Sequence, residues 1–299
     1  MQICSFLPSA TEILYALGLG NSVAGVTFEC DFPPEAARKT VIVNTNLAHD
    51  LTSAEIDQNV NEYSSHGDSL YRIDIQKLEA IKPDLIVTQE LCDVCAISTS
   101  HVAKAVHQLS SKPQVLSLTP HTLDDVLKDV LRVGEATDRD AEARALVSSL
   151  RERIETIRLM TKLQRPTVVC LEWLSPPFNG GHWIPEMIDL AGGVDPLGKL
   201  GKDSYRMAWD QVLGVDPDVV LVMPCGHNLE RSVEEYRATQ FPEGWKRVKA
   251  VRNGRVYAVN ASAYFSRPGP RLVTGLEIMY SLLQDNRTQE LVASSWIRL

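Results

Sequence analysis

The sequence predicts an α/β protein of two Rossmann-like parallel-sheet lobes joined by one long backbone helix, with a ligand cleft between the lobes. Two observations carry this. The first is an internal repeat. Leu78–Cys92 reads L-E-A-I-K-P-D-L-I-V-T-Q-E-L-C, and Val212–Cys225 reads V-L-G-V-D-P-D-V-V-L-V-M-P-C. Each has the tail of a helix, a proline that stops it, a buried-strand run and a polar loop carrying cysteine. The second is the segment 137–164, which holds neither Pro nor Gly and is rich in helix formers. Within it Ala143, Val147, Leu150, Ile154 and Ile157 step by four and three, so one apolar stripe runs along it. The expected division is residues 1–136 for the first lobe, 137–164 for the bridging helix and 165–299 for the second lobe.

Taken in order, Ile3–Leu7 reads as a strand and Ser9-Ala10-Thr11-Glu12 as a capping box, with Ser9 capping a helix over Ala10–Leu17. Val23–Phe28 is a second strand. The polar stretch Asn44–Gly67 carries no clear pattern. Asp74–Ile81 is a helix stopped by Pro83, Leu85–Val87 a strand, Ser98–Leu109 a helix and Val115–Leu118 a strand. Some 25 helical residues around Thr137–Gln164 would reach roughly 37 Å. The second lobe has strands at Thr167–Leu171, Val219–Val222 and Arg255–Val259. Ser262–Arg271 is too rich in Pro and Gly for a helix. Alternating strands and helices without hairpin signals predict parallel sheets, in which ligands sit beyond the carboxyl ends of the strands.

A chain of 299 residues suits two such lobes, each with its own core. A formal charge of −8 disfavours nucleic acid and anionic membrane as partners. No segment approaches the ~18 apolar residues of a membrane span. Nothing like a basic, apolar, small-residue leader precedes Ile3. With Met1 as the native start, the expected location is cytoplasmic and the six cysteines are reduced thiols. With a signal peptide removed, it is periplasmic or extracellular.

Applied strand by strand, the carboxyl-end rule gathers Pro8, Ser9, Cys30, Asp31, Cys92, Cys95, Glu172, Trp173, Phe178, His182, Trp183, Cys225, His227, Tyr264 and Arg267 at the cleft. Cys4 and Cys170 lie inside strands and read as core. Cys30, Cys92, Cys95 and Cys225, with the histidines, have two readings. They bind a metal ion or iron–sulfur cluster, Cys92 and Cys95 forming a C-x-x-C, or they are small buried thiols, since a lone C-x-x-C is a weak zinc signal. The aromatic residues Trp173, Phe178, Trp183, Tyr264 and Phe265 suit a large planar ligand, or pack lobe against lobe. Arg267 and Arg271 suit ligand carboxylates or phosphates, or the protein's own acids. There is no G-x-S-x-G, P-loop or H-E-x-x-H, so the chain reads as a binding protein rather than an enzyme.

Together, Leu7-Pro8-Ser9-Ala10-Thr11-Glu12, Asp31-Phe32-Pro33-Pro34-Glu35-Ala36, Lys82-Pro83-Asp84, Pro176-Pro177-Phe178, Ala191-Gly192-Gly193 and Asp210-Gln211-Val212-Leu213 resemble the class III periplasmic binding proteins. These are the ferric-siderophore and cobalamin receptors of ABC importers, and the resemblance is greatest to the cobalamin-binding branch. It covers essentially the whole chain. It implies two lobes, a long connecting helix and cobalamin or a related corrinoid or metal chelate held between the lobes. The ligand contacts expected in that cleft are Pro8, Ser9, Asp31, Glu172, Trp173, Phe178, His182, Trp183, Tyr264 and Arg267, of which His182, like the cleft cysteines, is not part of the usual corrinoid-receptor pattern. An ABC importer permease is the implied partner. The positions that align with the receptors' two docking glutamates are Gln76 and Asp210, and the neutral amide of Gln76 weakens one charge-assisted contact. The alternative is a cytoplasmic metal- or cluster-binding enzyme or cofactor carrier on the same fold, with Glu172 and His182 as an acid–base pair.

Overall fold

In the computed structural model, residues 1–48, 51–66, 69–89, 99–161, 164–285 and 295–299 are described. The chain divides into two compact units, one of residues 1–120 and 124–148, the other of residues 121–123 and 149–299.

The first unit contains β1 (Ile3–Ser5), α1 (Pro8–Ala16), β2 (Val23–Thr27), β3 (Thr40–Thr45), α2 (Ser53–His66), β4 (Tyr71–Ile73), α3 (Ile75–Ile81), β5 (Leu85–Gln89), α4 (Thr99–His107) and β6 (Gln114–Leu118). Most of α5 (Leu123–Ala136) also belongs to it. Its six-stranded sheet has the order β4-β3-β2-β1-β5-β6. All pairs are parallel except β3–β4, so the sheet is mixed at one edge rather than fully parallel. The strand order reverses at β1, between β2 and β5, which is where such sheets open a crevice at their carboxyl ends. Helix α1 presses almost its whole length into the core, with Ala10, Ile13 and Leu14 fully buried. Gly25 in β2 is required by packing: a Cβ there would sit 2.7 Å from Ile42 Cδ1 and 3.0 Å from Cys4 Sγ.

The second unit has β7 (Val168–Leu174), β8 (Pro177–Asn179), α7 (Ile184–Leu190), α8 (Trp209–Val215), β9 (Val219–Val222), α9 (Leu229–Ala238), α10 (Lys249–Arg252), β10 (Val256–Val259), α11 (Ala261–Tyr264), α12 (Arg271–Gln284) and β11 (Trp296–Arg298). Its sheet order is β11-β10-β9-β7-β8. The central strands β7, β9 and β10 are parallel, while β8 folds back on β7 and β11 runs antiparallel to β10. The core around β7 and β9 holds Val169, Leu171, Val220, Val222 and Trp245. Trp245 stacks on Phe241 with centroids 4.5 Å apart, and Trp209 meets both edge-on.

The sequence repeat has a structural counterpart in detail. Helices α3 and α8 each span seven residues and each end on a left-handed residue, Lys82 (φ 50°) or Asp216 (φ 47°). The Pro-Asp that follows does the same work twice. The Asp84 carboxylate accepts the Gln2 amide at 2.6 Å, and that of Asp218 accepts the Thr167 amide at 2.9 Å. The Asp84 amide in turn donates to Gln2 O, and the Asp218 amide to Thr167 O. Each aspartate therefore locks the entry of β5 against β1, or of β9 against β7.

Three sequence expectations are corrected. Helix α1 starts at Pro8, with Leu7 as its N-cap, so Ser9 lies inside the first turn and is not the cap. Proline at the first helical position has no amide to satisfy and a φ already suited to the helix. The long helix is α6 (Asp140–Met160), 21 residues and unbroken, or about 31 Å. It begins after Asp138, which adopts φ 56°, because Gly134 O already accepts the amides of Thr137 and Arg139 to close α5. Finally, Ser262–Tyr264 belongs to the one-turn helix α11, capped by Asn260, whose side chain accepts from the Ala263 amide. The predicted stripe is present: Ala143, Val147, Leu150 and Ile157 are buried and Ile154 half-buried. Arg153 on the same helix grips Glu277 of α12 through two bonds of 2.8 and 2.7 Å.

Candidate functional site

At the carboxyl ends of β1 and β2, Pro8 is half-buried, Ser9 buried and Asp31 exposed. Ser9 is a packing residue of α1 with 2% of its surface exposed. Cys30 is buried in a hydroxyl cluster, 3.1 Å from Thr11 Oγ1 and 3.3 Å from Thr27 Oγ1. Thr11 in turn sits 2.8 Å from Ser5 Oγ. Two polar neighbours of this thiol are thus hydroxyl groups of the core. Cys92 and Cys95 fall outside the described residues. Cys4 is a core thiol pushed up to about 12 by burial, and Cys170 is likewise raised well above its ordinary value, burial again leading.

In the second unit the strand ends converge. Glu172 and Trp173 close β7, Cys225 and His227 follow β9, and Tyr264, Arg267 and Arg271 follow β10. These loops are tied together. The Cys225 amide donates to Glu172 O, the Ser262 amide to His227 O and the Gly226 amide to Ser266 Oγ. Glu172 is half-buried and its carboxylate accepts the Gly181 amide at 3.0 Å. Trp173 pairs across the β7–β8 hairpin with Phe178. Its indole lies 5.5 Å from the ring of His227, tilted by 54°. His227 is buried, and burial above all, followed by the charge of Arg231, lowers its proton affinity to a pKa of about 4. The imidazole is therefore neutral at physiological pH. Among the described residues, neither His227 nitrogen nor Trp173 Nε1 has a hydrogen-bond partner. Three orphaned polar atoms on two adjoining, mutually tilted rings carry a desolvation cost that a ligand's polar groups would offset.

The remaining aromatic residues divide. Tyr264 is half-buried with the Arg271 guanidinium 5.8 Å from its ring, and Phe178 lies 5.9 Å from Arg206. Trp183 and Phe265 are buried, and the Trp183 indole donates to the Phe265 carbonyl at 2.8 Å. Their rings belong to the core that supports the Tyr264 turn, so Trp183 offers no stacking face. Its buried N–H needed a partner, which sequence cannot supply. His182 adopts φ 50°, and burial chiefly lowers its pKa, with Asp203 opposing and His121 reinforcing. The expected pairing of His182 with Glu172 gives way to Asp203, whose carboxylate is 3.5 Å from His182 Nδ1. His121 and Asp203 were missed by the sequence reading. His121 stands three residues past the end of β6, a strand-end position of the kind the carboxyl-end rule selects.

Gln76 and Asp210 are both exposed, each the second residue of its short helix, α3 or α8. Among the described residues no helix is long and apolar enough to cross a membrane.

Comparison with known proteins agrees with this architecture. An uncharacterized ABC transporter substrate-binding lipoprotein, YvrC of Bacillus subtilis, is 26% identical over 289 residues, covering 92% of this chain and 77% of the relative. A vitamin B12-binding protein of Vibrio cholerae is 24% identical over 286 residues, covering 95% and 89%. The crystal structure of the periplasmic vitamin B12 binding protein BtuF of Vibrio cholerae superposes with a TM-score of 0.70 at 22% identity, covering 96% of this chain and 98% of that one. The family model described as periplasmic binding protein matches residues 3–263. With that match spanning most of the sequence, and with two α/β units joined through α6, the chain belongs to the periplasmic binding protein family.

Proposed function

We propose that the protein is a solute-binding component of an ABC importer whose ligand is cobalamin or a related planar metal chelate. The observation that carries this reading is the pair Trp173–His227 at the ends of β7 and β9. It combines a half-buried indole suited to stacking with a buried neutral imidazole, and three ring nitrogens lack partners among the described residues. Tyr264 and Arg267, half-buried in the loop after β10, add a second ring and a cation for ligand amides or phosphate. Phe178 flanks Trp173 on β8. Glu172 completes the proposed contacts of this unit. Trp183 acts by holding the backbone that presents them. The cobalamin-binding relatives support this ligand class, and the lipoprotein and periplasmic relatives support export over a cytoplasmic location. The metal-enzyme alternative has no such support.

Equilibrium titration with cyanocobalamin is the test, with hemin as a parallel arm for a planar chelate of different periphery. Saturable binding is expected, weakened about 1–3 kcal/mol by Trp173→Ala, the range for losing one stacked ring. Cys30→Ser should leave it unchanged. If neither compound binds at high micromolar concentration, the reading fails.

A further inference from the structure

His121, His182 and Asp203 lie together although they come from three separate stretches of chain. One ligand atom from each falls within 4.8 Å of the others. His182 Nδ1 and Asp203 Oδ1 are already 3.5 Å apart, and the two imidazoles meet at 6.0 Å between centroids, near edge-on. A tetrahedral zinc ion with bonds of about 2.0–2.1 Å needs donors roughly 3.3 Å apart. Asp203 is 77% exposed and His121 is exposed, so side-chain rotation closes the remaining gap without moving the backbone.

The backbone around the three residues is firmly braced. The His182 amide donates to Lys202 O at 2.6 Å, and the Gly201 amide returns a bond to His182 O at 3.1 Å. That two-way clamp holds His182 at φ 50°, a left-handed conformation uncommon outside glycine. Beside it Gly181 passes so close to the other loop that a Cβ would sit 2.2 Å from Ser204 N. Gly201, at φ 65°, lies against His121 and Thr122. The His121 segment is fixed in turn, because the Leu123 amide donates to the Glu186 carboxylate at 2.7 Å. Glu186 stands in the first turn of α7, the helix that follows His182 and Trp183. All of these residues belong to the second unit. Among the described residues, His182 Nδ1 has no hydrogen-bond partner despite being enclosed.

We infer that His121, His182 and Asp203 form a binding site for a borderline divalent transition-metal cation of the Zn²⁺ type. Two imidazoles and a carboxylate supply three ligands, leaving a fourth position for water or an incoming donor. The site shares no residue with the thiol set Cys30, Cys92, Cys95 and Cys225. It is also independent of the Trp173–His227 pair, so cobalamin binding can fail without affecting it. A bound ion would staple residues 121–123 to the loops that carry His182 and Asp203.

The full chain, stripped with a chelator, is titrated with Zn²⁺ in competition with a chromophoric chelator. One site per chain is expected. His121→Ala should weaken it at least about tenfold, and His182→Ala and Asp203→Asn should do likewise. His121 is exposed, so its replacement tests the site without depending on the strained His182 backbone. Zn²⁺ should raise the melting temperature of the native chain but not of His121→Ala. Replacing Cys30, Cys92 and Cys95 with Ser should leave affinity unchanged, and the Co²⁺ form should lack thiolate-to-metal charge-transfer absorption. Absence of a saturable site, or a site that survives His121→Ala and Asp203→Asn unaltered, would overturn the inference.

Discussion

His227 shows how burial of a single residue couples to the pH dependence of stability. Its folded pKa of about 4 lies below the ordinary value of 6.5 because the charged ring is desolvated. Between those values the unfolded chain binds more protons than the folded one. The stabilising neutral state is fully present above pH 6.5 and is lost as pH falls towards 4. At pH 4.5 this single group removes roughly 2–3 kcal/mol. Urea midpoints at pH 7 and 4.5 should therefore shift more for the native chain than for His227→Phe by about that amount. Equal shifts would show that the ring is solvated in the fold. His227 and Trp173 stood out in the sequence because both follow predicted strands. What made them a pair, the 5.5 Å ring contact, depends on the adjacency of β7 and β9.

Among the elements, the contact of α12 with α11 decides where Tyr264 stands. Gly275 of α12 approaches so closely that a Cβ would lie 2.1 Å from Tyr264 O, a backbone atom with no rotamer to escape through. Gly275→Ala should cost about 1–3 kcal/mol by overpacking and shift the turn that presents Tyr264 and Arg267. Chemical denaturation and cobalamin titration of the same variant measure the two effects. A fully stable variant with native affinity would mean the helices separate freely. Strands such as β4, β8 and β11 escaped the sequence reading for a physical reason. Edge and short strands bury little, so they carry no long apolar run. By contrast β5, β7 and β9 are central and buried on both faces, and their runs were plain.

For the molecule as a whole, the matched helices α3 and α8 present Gln76 and Asp210 at equivalent exposed positions. If an importer's permease reads acidic residues there, only Asp210 offers a carboxylate. Gln76→Glu should then strengthen association with the cognate permease severalfold, and Asp210→Asn should weaken it, with low-salt binding more affected than high-salt binding. Indifference of binding to both substitutions would exclude these helices as docking points.

The sequence alone determined that the chain is a repeated α/β architecture with a long helix. Hydrophobic runs, proline stops and Pro-Asp strand entries are local signals that each half carries independently. Tertiary structure decided which of the candidate residues face outward and which are spent internally. Trp183 gave its N–H to Phe265, Cys30 settled among hydroxyl groups, and His182 met His121 and Asp203 rather than Glu172. Apart from the local Cys30–Thr27 contact, those choices depend on contacts between residues 19 to 82 positions apart, set by sheet order and by hydrogen bonds that a buried polar group must find.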